Sequence, residues 1–240
     1  MERRAQASAR SEGAARDADP PRLFDLELRA PLLVASFATP RRVLSWAVAR
    51  PGFQLADRVA WLEVRNADLP VGVDPAALLA GALARGGVDD AVAMMTSRHV
   101  DRFRRAGARL PGALADCVAT VGLSNAARVA RPATGSGGTG TLGTINLLAA
   151  VSEPLSDVGL IEALSIATEA RTAAVIDAGW RLAEGVATGT GTDCVAVAVP
   201  EGGAVTYAGL HTAVGQAIGA AVYEATLAAT LDWIAERGGC

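Results

Sequence analysis

The chain contains no lysine, only two histidines and three cysteines, and aromatic residues make up 4% of its 240 positions. All 22 basic residues are therefore arginine, which reads as genome composition rather than chemistry. The lack of lysine excludes a Walker-type phosphate loop, whose glycine run must end on that residue. The two histidines, His99 and His211, lie far apart, and neither sits in a paired zinc-ligand motif, so zinc catalysis has no support. The cysteines, Cys117, Cys194 and Cys240, form no CxxC pair and are odd in number. They read as buried free thiols of a reducing compartment, and the expected location is the cytoplasm. The formal net charge of −3 and isoelectric point near 5.5 argue against a nucleic-acid partner. The most apolar late stretch, 213–231, is interrupted by Gln216 and Glu224, so no membrane span is expected.

What the chain does have is alanine, valine and glycine: 51% of residues are hydrophobic and mean hydropathy is +0.29. Small side chains let layers approach closely, and 240 residues suit one large domain. The polar, charged residues 1–20 read as a disordered tail, leaving 21–240 as the folded domain. Strand-like runs follow at "LFDLELRAPLLVASFA", "RRVLSWAVA", "RVAWLEV", "AVAMMTS", "LADCVATVG", "GTINLLAAV" and "CVAVAVP". The last has no polar face and should lie centrally in a sheet. Helices are expected after Asp74-Pro75, from Ser156-Asp157 to Gly179, and from about His211 to Ile234. The arginines 102, 104, 105 and 109 read as one solvated helix face. The Gly/Thr/Ser stretch 131–142 reads as a surface loop. With no strict strand–helix alternation, the fold class is α+β and layered.

Small polar groups gather where apolar runs begin or end: "AMMTS" with Thr96, "TVGLSNA" with Ser124 and Asn125, "LGTINLL" with Thr144 and Asn146, and "GTGTDCVAV" with Thr190, Thr192 and Asp193. "YAGLHT", with His211, leads into the last helix. Each alone serves equally well as a turn or cap; five in one chain favour a site built on rigid strand ends. The glycines of "ATGTGTDCVAVAVP" precede a strand instead of following one, which excludes a dinucleotide fingerprint. Thr144 and Ser124 are candidate nucleophiles, each beside a glycine whose neighbouring N–H groups could hold an oxyanion. Asp193 and Glu169 are acid–base candidates, and His211 carries the side chain suited to proton transfer near neutrality. Glu153, Asp157, Glu162 and Glu169 leave a carboxylate-held divalent ion open, although such a charged helix is more often simply solvated.

The segments "VGLSNAARV", "GTINLLAAVSEPLSD", "ATEARTAAVIDAG", "ATGTGTDCVAVAVP" and "YAGLHTAVGQAIGAAVYEA" occur in an order and spacing that closely resemble the adenosylcobinamide amidohydrolase family. The match is densest over 118–228, and the loop 131–142 is longer than the family's. The resemblance implies an enzyme that cleaves the amide between a corrin propionate and aminopropanol, with the corrinoid as substrate and no resident cofactor. A weaker similarity links "GTINLLAAVSEPLSDVGLIEAL" and "GTGTDCVAVA" to ornithine acetyltransferase and the DmpA-type aminopeptidases. It implies an α/β/β/α sandwich and a Thr144 nucleophile exposed by self-cleavage after Gly143. Thr96, Ser124, Asn125, Asn146, Thr190 and Thr192 would then bind substrate. A corrinoid-binding protein without catalysis and an amidase or acyltransferase acting on another substrate remain the alternatives. The composition is compatible with a homo-oligomer.

Overall fold

A computed structural model describes residues 22–131 and 143–238. The expected tail 1–20 and most of the Gly/Thr/Ser stretch 131–142 lie outside the described residues. The strands are β1 (Asp25–Arg29), β2 (Leu32–Ser45), β3 (Gly52–Glu63), β4 (Val92–Thr96), β5 (Arg104–Leu110), β6 (Ala113–Val121), β7 (Ala126–Ala127), β8 (Ile145–Val151), β9 (Arg181–Leu182), β10 (Gly185–Val186), β11 (Gly189–Thr190) and β12 (Cys194–Val199). Three α-helices accompany them: α1 (Pro75–Arg85), α2 (Asp157–Ala178) and α3 (Ala213–Gly238).

Eight strands make one mixed sheet in the order β4-β3-β2-β12-β8-β6-β5, with β1 added to β2. The two short ladders β7–β11 and β9–β10 stand outside it. Strand β2 runs continuously through both predicted runs, and its pairing with β3 shifts register between Ser36 and Arg41. A bulge of this kind bends and twists a sheet. The sheet accordingly folds over on itself. One apolar cluster takes Leu33, Val59, Trp61 and Met94 from the first half and Val118, Leu148, Cys194 and Ala196 from the second.

Helix α1 covers the outer face of the first half, where Leu79, Ala82 and Leu83 meet Leu32, Val34 and Leu62. Helices α2 and α3 cover the outer face of the second, with Leu160, Ala163, Ile218 and Val222 against Leu147, Val195 and Val197. The layers are thus α/β/β/α, formed from one strongly bent sheet in a single domain. Strand β12 lies between β2 and β8 and is buried along its whole length, as expected for a run with no polar face. The helix starts are built as the sequence suggests: Asp74 accepts from the Ala76 N–H and Ser156 from the Gly159 N–H. A cap of this type is worth about 1 kcal/mol.

The arginine stretch is a correction. Residues 104–110 form strand β5, and Arg105 turns inward to pair with Asp116, which is 1% exposed. Alternation along a strand, with Arg104 outward on Asp232 and Arg105 inward, replaces the expected helical face. No helix among the described residues is long and apolar enough to cross a membrane.

Candidate active site

The N-terminal ends of β8 and β12 lie side by side in parallel, with Asn146 opposite Cys194. The C-terminal end of β6 flanks β8, with Thr120 opposite Asn146. By strand alternation Asn146 shares the inner face with Leu148 and Ala150, and Thr144 lies two residues ahead of it. The folded-over half of the sheet closes on this point, because the Asn146 Nδ2 donates to the Met95 carbonyl at 2.5 Å. Thr96 and Thr120, both fully buried, lie 3.5 Å apart there through their hydroxyls.

Thr144 is 5% exposed. Its hydroxyl faces two acceptors, the Thr192 carbonyl at 2.8 Å and the Asn146 Oδ1 at 3.0 Å. The contact from Nδ2 to Met95 fixes the amide so that Oδ1 is the atom turned to Thr144. A hydroxyl has one proton, so these two acceptors share it and hold the oxygen in one place. The Thr192 hydroxyl donates to the Gly143 carbonyl at 2.8 Å. The Gly143–Thr144 peptide is therefore gripped on its carbonyl oxygen and on the following hydroxyl by one residue.

Gly143 has no room for a side chain. A Cβ there would lie 2.5 Å from the Asn125 Oδ1, 2.7 Å from the Ser124 nitrogen and 2.9 Å from the Asn125 nitrogen. The buried Asn125 Oδ1 is without a partner among the described residues. Two consecutive backbone nitrogens this close to the Gly143–Thr144 peptide are placed as candidate donors for an oxyanion.

Asp193 holds the frame. Its Oδ1 accepts from the Ile145 N–H at 2.9 Å and the Thr190 hydroxyl at 2.5 Å, while Oδ2 accepts from the Thr190 N–H at 2.9 Å and the Arg171 Nη1 at 2.5 Å. With its lone pairs so occupied, the carboxylate anchors the starts of β8 and β12. Gly189, at φ +157°, leaves the space: a Cβ would come within 2.1 Å of the Arg171 Nη1. Burial, to which the Asp193 charge adds, pushes the neighbouring Cys194 thiol up to about 12, so it stays protonated at neutral pH.

The structure thus gathers Thr96, Asn146, Thr144, Thr190, Thr192 and Asp193, with Ser124 and Asn125 at the rim. It does not bring in the other two candidates. Glu169 is exposed on α2, and His211 is exposed ahead of α3. Glycine 112, which begins the turn into β6, approaches Ala213, whereas the opposite end of α3 reaches Ser124 through Arg237. His211 therefore lies at the far end of β6 from Thr144. Two residues that the sequence reading missed belong to the site. Thr120 is hidden in an apolar strand, but Arg171 left a signal: it lies four residues after Ala167 and three before Ala174, on the buried face of α2.

Beside this cluster a cavity of about 480 Å³ is lined by Glu63, Arg65, Ser97, Arg98, Gly122 and Arg237, among others. A Cβ on Gly122 would sit 3.7 Å from the Thr144 nitrogen, so the cavity adjoins the gripped peptide. The sequence profile of the adenosylcobinamide amidohydrolases matches residues 19–238. The chain belongs to that family. It is an enzyme, an amidohydrolase of the group acting on adenosylcobinamide. A search of curated proteins found no match. Among solved structures, a Burkholderia sp. beta-aminopeptidase is similar at 13% identity over 84% of this chain and 79% of that one, with a TM-score of 0.44.

The described residues contain no group of three or more His, Cys, Asp or Glu side chains able to hold a metal ion. The carboxylates considered for one are dispersed: Asp157 pairs with Arg42, Glu162 accepts from the Ala208 N–H, and Glu153 accepts from Ser152.

Proposed function

We propose that the chain hydrolyses the amide joining a corrin propionate arm to aminopropanol in adenosylcobinamide. The products are adenosylcobyric acid and 1-aminopropan-2-ol, and the setting is corrinoid salvage toward coenzyme B12 in the cytoplasm. Family membership supports the substrate. The observation that carries the chemistry is the grip on Gly143–Thr144: a fixed Thr144 hydroxyl, a carbonyl polarised by Thr192 and the Ser124 and Asn125 backbone nitrogens packed against Gly143.

In the intact chain no titratable group accepts the Thr144 proton, since both acceptors are neutral carbonyl oxygens. A base becomes available if the Gly143–Thr144 bond is cut. The Thr144 oxygen attacks the Gly143 carbonyl carbon, the C–N bond breaks, and the nitrogen leaves as an amine carrying the hydroxyl proton. Water then hydrolyses the ester, leaving a Gly143 carboxylate and a Thr144 with free hydroxyl and amine. That amine is the base for the substrate reaction. It takes the hydroxyl proton as Oγ1 attacks the substrate carbonyl and returns it to the departing aminopropanol nitrogen. Water, deprotonated by the same amine, releases the acid. The Ser124 and Asn125 N–H groups stabilise the oxyanion in both rounds.

The test is to incubate the purified protein with adenosylcobinamide, with and without EDTA, and to identify products by chromatography and mass. Adenosylcobyric acid is expected in both. Bound but unchanged substrate would sink the hydrolase reading in favour of a corrinoid-binding protein.

A further inference from the structure

The cavity beside Thr144 has a feature that amide hydrolysis alone does not use. Three guanidiniums line it, and the carboxylates near them are already engaged. Glu63 accepts from the His99 Nδ1 at 2.8 Å and the Val100 N–H at 3.0 Å, and Glu236 accepts two bonds from Arg98 at 2.5 and 2.8 Å. Arg65 and Arg237 form no ion pair with a carboxylate among the described residues. Arg237 is stacked on the Trp233 ring, 4.9 Å from its centroid, and donates to the Ser124 hydroxyl at 3.0 Å. It is therefore held in place by contacts that leave its charge uncompensated. Arg98 is 9% exposed, and its Nε–H is buried with no acceptor. An orphaned buried donor in the wall of a cavity points to a ligand acceptor.

We propose that this cavity is an oxyanion subsite that takes a carboxylate or phosphate group beside Thr144. Guanidinium forks match both anions in shape and charge. In the proposed reaction, the group that arises next to Thr144 as an anion is the carboxylate left when the amide is cut. Its assignment as the natural occupant rests on that reaction; the binding of an oxyanion does not. The subsite then retains the acid product and makes the enzyme sensitive to product inhibition.

The test is calorimetric titration of the full-length protein with inorganic phosphate and with propionate at constant ionic strength. Saturable binding is expected for the wild type. Replacing both exposed cavity arginines (R65Q with R237Q) removes two charge-assisted contacts, so affinity should fall roughly tenfold or more. The control is Arg109→Gln, on a different cavity at the β5–β6 turn, which should leave affinity unchanged. No saturable binding, or equal affinity in all three proteins, would overturn the subsite. A second titration adds adenosylcobyric acid as competitor. Displacement of phosphate identifies the product carboxylate as occupant; phosphate binding without displacement overturns that identity and leaves the subsite standing.

Discussion

Two buried aspartate–arginine pairs stand at opposite ends of the folded sheet, and they are close to identical in chemistry. At one end Asp116, 1% exposed, pairs with Arg105 and accepts the Leu23 N–H, while Arg105 donates to the Phe24 carbonyl and covers the Phe24 ring. At the other end Asp193, 7% exposed, pairs with Arg171 and accepts the Ile145 N–H. Each pair pins the start of a chain segment to the sheet. The difference lies in what is pinned. Asp116 holds Leu23 and Phe24, apolar residues that close the core. Asp193 holds the segment that opens with Gly143 and Thr144, where a hydroxyl, a polarised carbonyl and two backbone nitrogens of a neighbouring loop converge. A buried carboxylate with a close partner thus positions a segment at both ends, and at one end the segment carries the proposed nucleophile.

The largest expected separation between the two ends comes from Thr144→Ala. Removing the proposed nucleophile should lower turnover by on the order of 10⁴ or more. Loss of one hydroxyl contact should cost only about 1 kcal/mol in stability, read from thermal or urea unfolding. Near-normal turnover would remove Thr144 from the chemistry.

Next in size is the paired comparison of Asp193→Asn with Asp116→Asn. Each leaves a buried guanidinium without its counter-charge, and a destabilisation of about 3 kcal/mol is expected for both. Turnover per folded molecule should fall steeply for Asp193→Asn and stay unchanged for Asp116→Asn. Equal effects on turnover would erase the distinction between the ends.

A smaller effect is expected with pH. The hydrogen bond from Arg98 holds the Glu236 carboxyl below its ordinary value, opposed by a smaller desolvation contribution. A depressed folded value means that the contact stabilises above the unfolded carboxylate range and is lost as pH falls through the folded value. The wild-type advantage over Glu236→Gln should therefore shrink as pH drops below about 4.3. An advantage independent of pH would show that the carboxylate charge is not what ties α3 to the cavity wall.

The smallest effects are expected for Glu169→Gln and His211→Ala, less than twofold in turnover. Glu169 is exposed and His211 lies at the remote end of α3, so a large loss from either would require a site different from the one around Thr144.

The sequence carried much of this arrangement. Apolar runs placed β4, β6, β8 and β12, cap residues placed α1 and α2, and apolar spacing placed α3, because burial and end effects are local. The polar clusters at strand ends led to Thr96, Thr144, Asn146, Thr190, Thr192 and Asp193. Glu169 and His211 lie apart from the Thr144 cluster for one reason: residue type says what a side chain can do, while its direction depends on helical phase and on which end of a strand it borders. The arginine stretch at 102–109 was misread because alternating arginines suit an exposed helix face as well as a strand with one inward charge. Arg105 needs Asp116 from the neighbouring strand to be explained. The packing of the Ser124 and Asn125 nitrogens against Gly143 was invisible, since it depends on how closely two loops approach.

The measurement that tests the central claim most directly is the intact mass of the purified wild type beside Thr144→Ala. The account predicts two fragments from the wild type, one beginning at Thr144, and a single uncut chain from the variant. A wild-type chain that remains whole while hydrolysing adenosylcobinamide would contradict it, because the Thr144 amine could not then be the base.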